Sequence, residues 1–273
     1  MSGSSAKVLT VAEAGMGRRL GWSIADTWLM TWRNLMYYVR NPYWLFYAVI
    51  QPVIFTLLFV FVFGGAIKDN LGGAKYADYA IPGIIVQTVI FSSLSSAINI
   101  ADDMQKGVMD RFRSLPISRG TVLTARTFSD ILRTVLSTAI MAGVGFLCGY
   151  RFHGTWLDAL SAIGLVILVG LAFSWIAVWI GLQSKNTQTA EIAGFTWAFP
   201  IVFASSIFAP VSSMPGWLRA FANANPVSLA ADAVRALSFG TKVGMDGVWT
   251  LLSCALIIVV FRTLGVIQFR RLS

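Results

Sequence analysis

Ionisable side chains in this sequence gather between positions 102 and 133, and one short stretch there combines an ion pair with an apolar ridge. Asp110 and Arg113 stand three residues apart, a spacing that brings them together on neighbouring turns of a helix, and Phe112 and Leu115 add apolar contacts beside them. Pro116 stops such a helix near Leu115, because the residue before a proline avoids helical geometry. Ser118 is placed to cap the next helix. The chemistry available is docking: a compact knob of charge and aromatic surface that the groove of a partner could receive. The same residues also read as a solvated basic loop beside a membrane, and the residue pattern leaves both readings open.

Bond-making chemistry is harder to find. No G-x-x-x-x-G-K-[ST] run occurs, so the backbone cradle and lysine that a P-loop places around nucleotide phosphates are missing, and ATP cannot be turned over by that mechanism. The pairs Gly64-Gly65 and Gly72-Gly73 suit turns or helix ends. His153 is the single histidine and has no Cys or carboxylate partners at ligand spacing, while Cys148 and Cys254 lie deep in separate apolar blocks. Neither a metal site nor a disulfide framework follows. With no catalytic pair of carboxylates and no nucleophilic serine motif, the chain is not expected to be an enzyme.

The elements that must position the knob are apolar. Hydrophobic residues make up 56% of the 273 and charged ones 12%, against about 25% charged in an ordinary soluble domain, and mean hydropathy is +0.71. The apolar residues come as uncharged blocks without amphipathic alternation, which predicts lipid-facing helices. A helix rising about 1.5 Å per residue needs about 20 residues to cross a hydrocarbon core of about 30 Å. Six crossings are predicted, over 44–67, 79–101, 130–150, 159–184, 192–209 and 247–267. The net charge of +9 has no Lys/Arg-rich run with interleaved aromatics, so no nucleic-acid partner is expected. Fifteen of the 21 basic residues fall on the side shared by both termini and the 102–128 loop, which predicts cytoplasmic termini. Residues 1–14 lack a basic flank followed by a short apolar core, so no cleaved signal peptide is expected.

Residues 1–18 read as a cytoplasmic tail. Across 19–40, Arg19, Asp26, Arg33 and Arg40 recur every seven residues with Ile24, Trp28, Leu35 and Val39 on roughly the opposite arc, the pattern of an interfacial helix. Its role reads either as an anchor or as part of the gate. Pro210, Pro215 and Pro226 punctuate an outer segment over 210–246, where short returning helices are expected, with 230–237 the best candidate. The clearest crossings carry no ionisable residue, and Arg262 can extend to the interface. A driving ion normally needs such groups along its path. Energy is therefore expected from outside the membrane.

Several stretches resemble the ABC-2-type membrane subunits, especially the daunorubicin-resistance exporters, in order and over nearly the whole chain. They are N-P-Y-W from Asn41, Q-P-V-I-F from Gln51, Y-A-I-P-G-I from Tyr79, D-D-M-Q-K-G-V-M-D-R-F-R-S-L-P-I-S-R from Asp102, S-S-I-F-A-P-V-S-S-M-P-G-W-L from Ser205, and N-P-V-S with A-V-R-A-L from Asn225. The resemblance implies an all-α integral membrane fold of six helices, with an N-terminal interfacial helix, a cytoplasmic coupling helix between spans two and three, and short outer helices between spans five and six. It also implies a multi-pass subunit of a prokaryotic cell membrane that pairs with a second permease copy, identical or related, and with two copies of an ABC ATPase subunit. That partner would bind ATP and Mg, with no cofactor in this chain. Asp110, Arg111, Phe112, Arg113, Leu115 and Pro116 would then seat in the ATPase.

The resemblance places the dimer interface and cargo path along spans one, two and five. Phe55, Phe59, Phe91, Trp197 and Phe203 would there contact an apolar or amphipathic drug or natural product, though each also suits lipid contact or packing. Two other functions remain open from sequence: export of a lipid, glycolipid or polysaccharide by the same architecture, and an ATP-independent channel or membrane scaffold.

Overall fold

A computed structural model describes residues 50, 53–54, 56–63, 75–107 and 119–271, with side chains described except at 63, 119–129 and 269–271. The 1–18 tail, the 19–40 segment, Phe55 and the knob residues Asp110, Arg111, Phe112, Arg113, Leu115 and Pro116 lie outside the described residues. Among the described residues every regular element is a helix, with no strand. After a π-helical turn at Leu58–Phe63 come α1 (Tyr76–Gln105), α2 (Arg119–Leu147), α3 (Trp156–Gln183) and α4 (Thr187–Phe203). A 3₁₀ turn at Val211–Ser213 and two short helices, α5 (Gly216–Ala224) and α6 (Pro226–Ser238), lead to α7 (Met245–Arg271).

Among the described residues four helices are long and apolar enough to cross a membrane: Tyr76–Gln105, Asp130–Leu147 within α2, Trp156–Gln183 and Met245–Gln268. The helix α4 has 17 residues, about 25 Å at 1.5 Å per residue, shorter than a hydrocarbon core. It stops at Phe203, where the side-chain amide of Asn225 donates to the carbonyls of Ile201 (2.7 Å) and Ala204 (3.3 Å). Those bonds replace the backbone donors that a further turn would have supplied. The same asparagine caps α6 through Val227 N–H, so one side chain closes one helix and opens another.

At the centre lies α1, with 72% of its apolar window buried, against 28% for α2 and 17% for α7. The difference sorts the bundle: α1 and α3 form the core, while α2 and α7 present most of their surface outward. Ile81, Ile84, Val86, Val89 and Ile90 of α1 pack with Val166, Val169, Phe173 and Ala177 of α3. Close approach is possible because small residues stand at the crossing. A Cβ added at Gly181 would lie 2.6 Å from the Ala97 carbonyl, and one at Gly170 2.8 Å from the Val89 side chain.

Candidate functional site

Phe195, Phe199 and Phe203 recur every four residues along α4 and so share one stripe of the helix. Phe203 stacks on Phe199 at 4.9 Å between ring centroids, and Phe199 lies 5.5 Å from Phe91 of α1. Beyond the end of α4, Phe208 sits 5.2 Å from Phe203 and 4.1 Å from Phe59 of the π-helical turn. The rings thus form a continuous run across three chain segments. Offset aromatic pairs of this kind stabilise by about 0.5–1.5 kcal/mol beyond the area they bury. Phe199 and Phe203 remain 44% and 39% exposed, so the run has an uncovered face.

Three of the five aromatics named from sequence, Phe59, Phe91 and Phe203, belong to this run. Trp197 does not: it lies on another face of α4, stacked on Phe173 of α3 at 5.8 Å, with its Nε1 enclosed and lacking a hydrogen-bond partner. Phe199 and Phe208, which join the run, were missed. The four-residue spacing of the α4 phenylalanines was a usable signal for the first, whereas nothing local points to Phe208. Gln87 was missed as well; it is 4% exposed, with its Oε1 enclosed and unpartnered, four residues before Phe91 on the same face of α1.

Two ionic clusters flank the bundle. Arg133 of α2 is 6% exposed and pairs with Asp130, one turn earlier, at 3.1 Å. The second oxygen of Asp130 accepts from the hydroxyls of Ser96 (2.9 Å) and Ser174 (2.6 Å), and Arg133 also donates to Ser95. The pair therefore fastens α2 to both α1 and α3. Arg133, counted from sequence with the basic residues between spans two and three yet inside the predicted 130–150 crossing, is buried within the apolar window of α2. The expectation of no ionisable residue concerned the clearest crossings; in the 130–150 span, a carboxylate and a cation of α2 stand with three hydroxyls of α1 and α3 at low exposure.

The second cluster surrounds Arg235 of α6. Its Nε donates to the Tyr79 carbonyl (2.9 Å), its Nη2 to the Ser206 carbonyl (3.0 Å) and its Nη1 to Asp232, while its guanidinium lies 3.7 Å from the centroid of the Tyr79 ring. Tyr79 and Tyr76 donate their hydroxyls to the carbonyls of Ser206 (2.8 Å) and Phe208 (2.9 Å). Together these donors satisfy the non-helical backbone after α4, as such backbone requires in an apolar setting. Burial pushes the Asp232 carboxyl above the usual carboxylate range, with Arg235 and Ser206 pulling it back down. A cavity of about 330 Å³ opens beside this cluster, lined in part by Asp232, Arg235 and Asp246.

Among the described residues no group of three or more His, Cys, Asp or Glu side chains is arranged to hold a metal ion. Among the described residues the arrangement offers packing surfaces, an aromatic stripe and paired charge.

Comparison with known proteins fits that description. The chain is 32% identical over 266 residues, 97% of its length and 93% of the other's, to the daunorubicin resistance ABC transporter permease protein DrrB1 of Streptomyces coeruleorubidus. It is 26% identical over 254 residues, 92% of its length and 90% of the other's, to the probable doxorubicin resistance ABC transporter permease protein DrrC of Mycobacterium tuberculosis. The putative transport permease ycf38 of Porphyra purpurea is 27% identical over 199 residues, 72% of this chain and 68% of that one. Residues 25–239 match the family described as ABC-2 type transporter. The match takes in the helical core, the aromatic run and both ionic clusters, and the chain belongs to the ABC-2 type transporter family as a membrane permease subunit of an ABC transporter.

Proposed function

We propose that this permease exports a hydrophobic or amphipathic drug or natural product, driven by ATP that a separate subunit hydrolyses. The observation that carries the reading is the aromatic run from Phe59 through Phe208, Phe203 and Phe199 to Phe91, an apolar stripe with an uncovered face. Ligand surfaces of this kind are mostly apolar, with few polar groups to fix orientation. The drug-resistance names of the relatives support the same cargo class.

In this proposal the chain works as a pair, identical or mixed, with two ATPase copies, and has six crossings with both termini in the cytoplasm of a prokaryotic cell. The coupling segment is 102–128, which takes in the end of α1 and the first turns of α2, and Asp110, Arg111, Phe112, Arg113, Leu115 and Pro116 seat in the ATPase. ATP drives export only by binding one arrangement of the complex more tightly than another. Closure of the ATPase pair displaces the loop and, through the 29-residue α2, the Asp130 and Arg133 cluster that ties α2 to α1 and α3. Rotation of those helices opens a path at the permease interface.

The test is ATP-dependent uptake of a fluorescent polycyclic aromatic into inverted vesicles that hold permease and ATPase. Replacing Arg113 by Ala should leave assembly and ATP turnover in place while uptake falls at least tenfold. Uptake at the wild-type rate would remove the loop from the mechanism.

A further inference from the structure

At each end of the aromatic run a buried polar atom lacks a partner. Gln87 stands one helical turn before Phe91; it is 4% exposed, and its Oε1 is enclosed without a hydrogen bond. Thr56 stands three residues before Phe59, fully buried, with its Oγ1 likewise enclosed and unpartnered. Phe91 and Phe59 are the two end members of the run. Buried polar groups are nearly always hydrogen-bonded, because their desolvation is otherwise uncompensated. Two such orphans at the ends of one apolar surface call for a partner that none of the described residues supplies.

The contacts of α1 show what Gln87 faces. A Cβ added at Gly83 would lie 2.9 Å from the Ile207 carbonyl oxygen, and Phe91 lies 5.8 Å from Phe195 and 5.5 Å from Phe199. Gln87 is four residues from each, between those two contacts on the same stripe of α1. It therefore faces the stretch from Phe199 to Ile207, which holds the partly uncovered Phe203. The unpartnered atom is an acceptor, so its complement is a donor. An uncharged donor suits it, since a charged one would give up its hydration with no opposite charge among the rings.

Resting on the export reading, we infer that Gln87 selects the cargo: the run takes an uncharged aromatic body that carries a hydroxyl group, and the hydroxyl donates to Gln87 Oε1. The aromatic body stacks on Phe199 and Phe203. A site that hydrogen-bonds a hydroxyl rejects the analogue lacking that donor, because its own polar group is then left unpaired. The carboxamide is enclosed where α1 meets α4, so cargo reaches it as those helices part. The bond that cargo brings is one the closed contact lacks, and cargo therefore favours the parted arrangement.

The experiment titrates 1-hydroxypyrene and 1-methoxypyrene against the full chain in phosphatidylcholine nanodiscs, with the signal of empty nanodiscs subtracted and without ATP or the ATPase. The probes share one ring system, and only the first donates. Wild type should bind 1-hydroxypyrene roughly tenfold more tightly, as one hydrogen bond to an otherwise unpaired acceptor provides. Equal affinities, or no binding of either probe, would overturn the assignment with no variant needed. Gln87→Met keeps the length of the side chain and removes its hydrogen-bonding atoms. The affinity ratio should fall to about one, while the melting temperature holds or rises, since an unpaired polar group has left the interior. A ratio that stays near its wild-type value sinks the assignment, and so does a lower melting temperature, the mark of a carboxamide already held by a structural partner. ATP-dependent uptake of both probes into inverted vesicles that hold permease and ATPase separates this inference from the export reading. Preferential binding without uptake removes export of this cargo class and leaves the Gln87 contact in place; uptake of both probes with equal KM removes the contact and leaves export in place.

Discussion

The residues that govern this bundle most strongly are those whose charge or hydroxyl is withdrawn from solvent. Asp130 illustrates the energetics: with Arg133 at 3.1 Å and two serine hydroxyls on its other oxygen, its charge is matched on every side. Removing one partner of a buried pair costs about 3–5 kcal/mol, because the survivor remains buried and uncompensated. Asp130→Asn keeps the size and removes the charge, so Arg133 is left without its counter-ion. The melting temperature of the detergent-purified permease should fall by several degrees for Asp130→Asn, with a smaller fall for Ser174→Ala, which removes one hydroxyl only. A thermal-shift measurement on both variants checks the order. Local sequence shows that Asp130 and Arg133 are three apart; it cannot show that Ser95, Ser96 and Ser174 stand around them, since those contacts join residues 34 to 44 positions apart in the chain.

At the scale of elements, helix identity was legible because apolar run length fixes it. The α3 helix, predicted over 159–184, is found at Trp156–Gln183, with Thr155 and Asp158 forming a reciprocal cap at its start. The end of α4 was not legible, because it is set by Asn225, more than twenty residues away. The α1–α3 contact was hidden for a related reason: a glycine in an apolar run looks like any other small residue until its partner is known. Gly181→Ala places a methyl group 2.6 Å from the Ala97 carbonyl, a clash with backbone that side-chain movement cannot relieve. Overpacking of this sort costs about 1–3 kcal/mol. Gly181→Ala should therefore lower thermal stability, while Gly164→Ala, where a Cβ meets nothing within 4 Å, should leave it unchanged or slightly higher. Equal melting temperatures for the two variants would contradict the close crossing.

For the whole molecule, the surface of α7 is as informative as the core of α1. Leu252, Leu256, Val259 and Val260 are exposed along α7, and Leu136, Phe146 and Leu147 along α2, an apolar surface of the kind that marks membrane or protein contact. The aromatic run has an uncovered face of the same kind. If the working unit is two permeases with two ATPases, native mass spectrometry of the complex released from mild detergent should give a four-chain mass, and permease expressed without its ATPase should give a two-chain mass. A single-chain mass for the permease under both conditions would remove the proposed pairing.

Sequence by itself determined that this chain belongs in a membrane, that its elements are helices, and which family it joins. Each follows from properties carried along the chain, namely the length of uncharged runs, the placement of basic residues and the order of short motifs. Tertiary structure decided which aromatics touch, where α4 stops, and that Arg133 and Arg235 are buried cations, each paired with a carboxylate one turn away and bonded to groups on other segments. Those outcomes depend on the desolvation cost of each polar group being met by residues distant in sequence, and helix periodicity places a side chain on a face without saying what will stand opposite it.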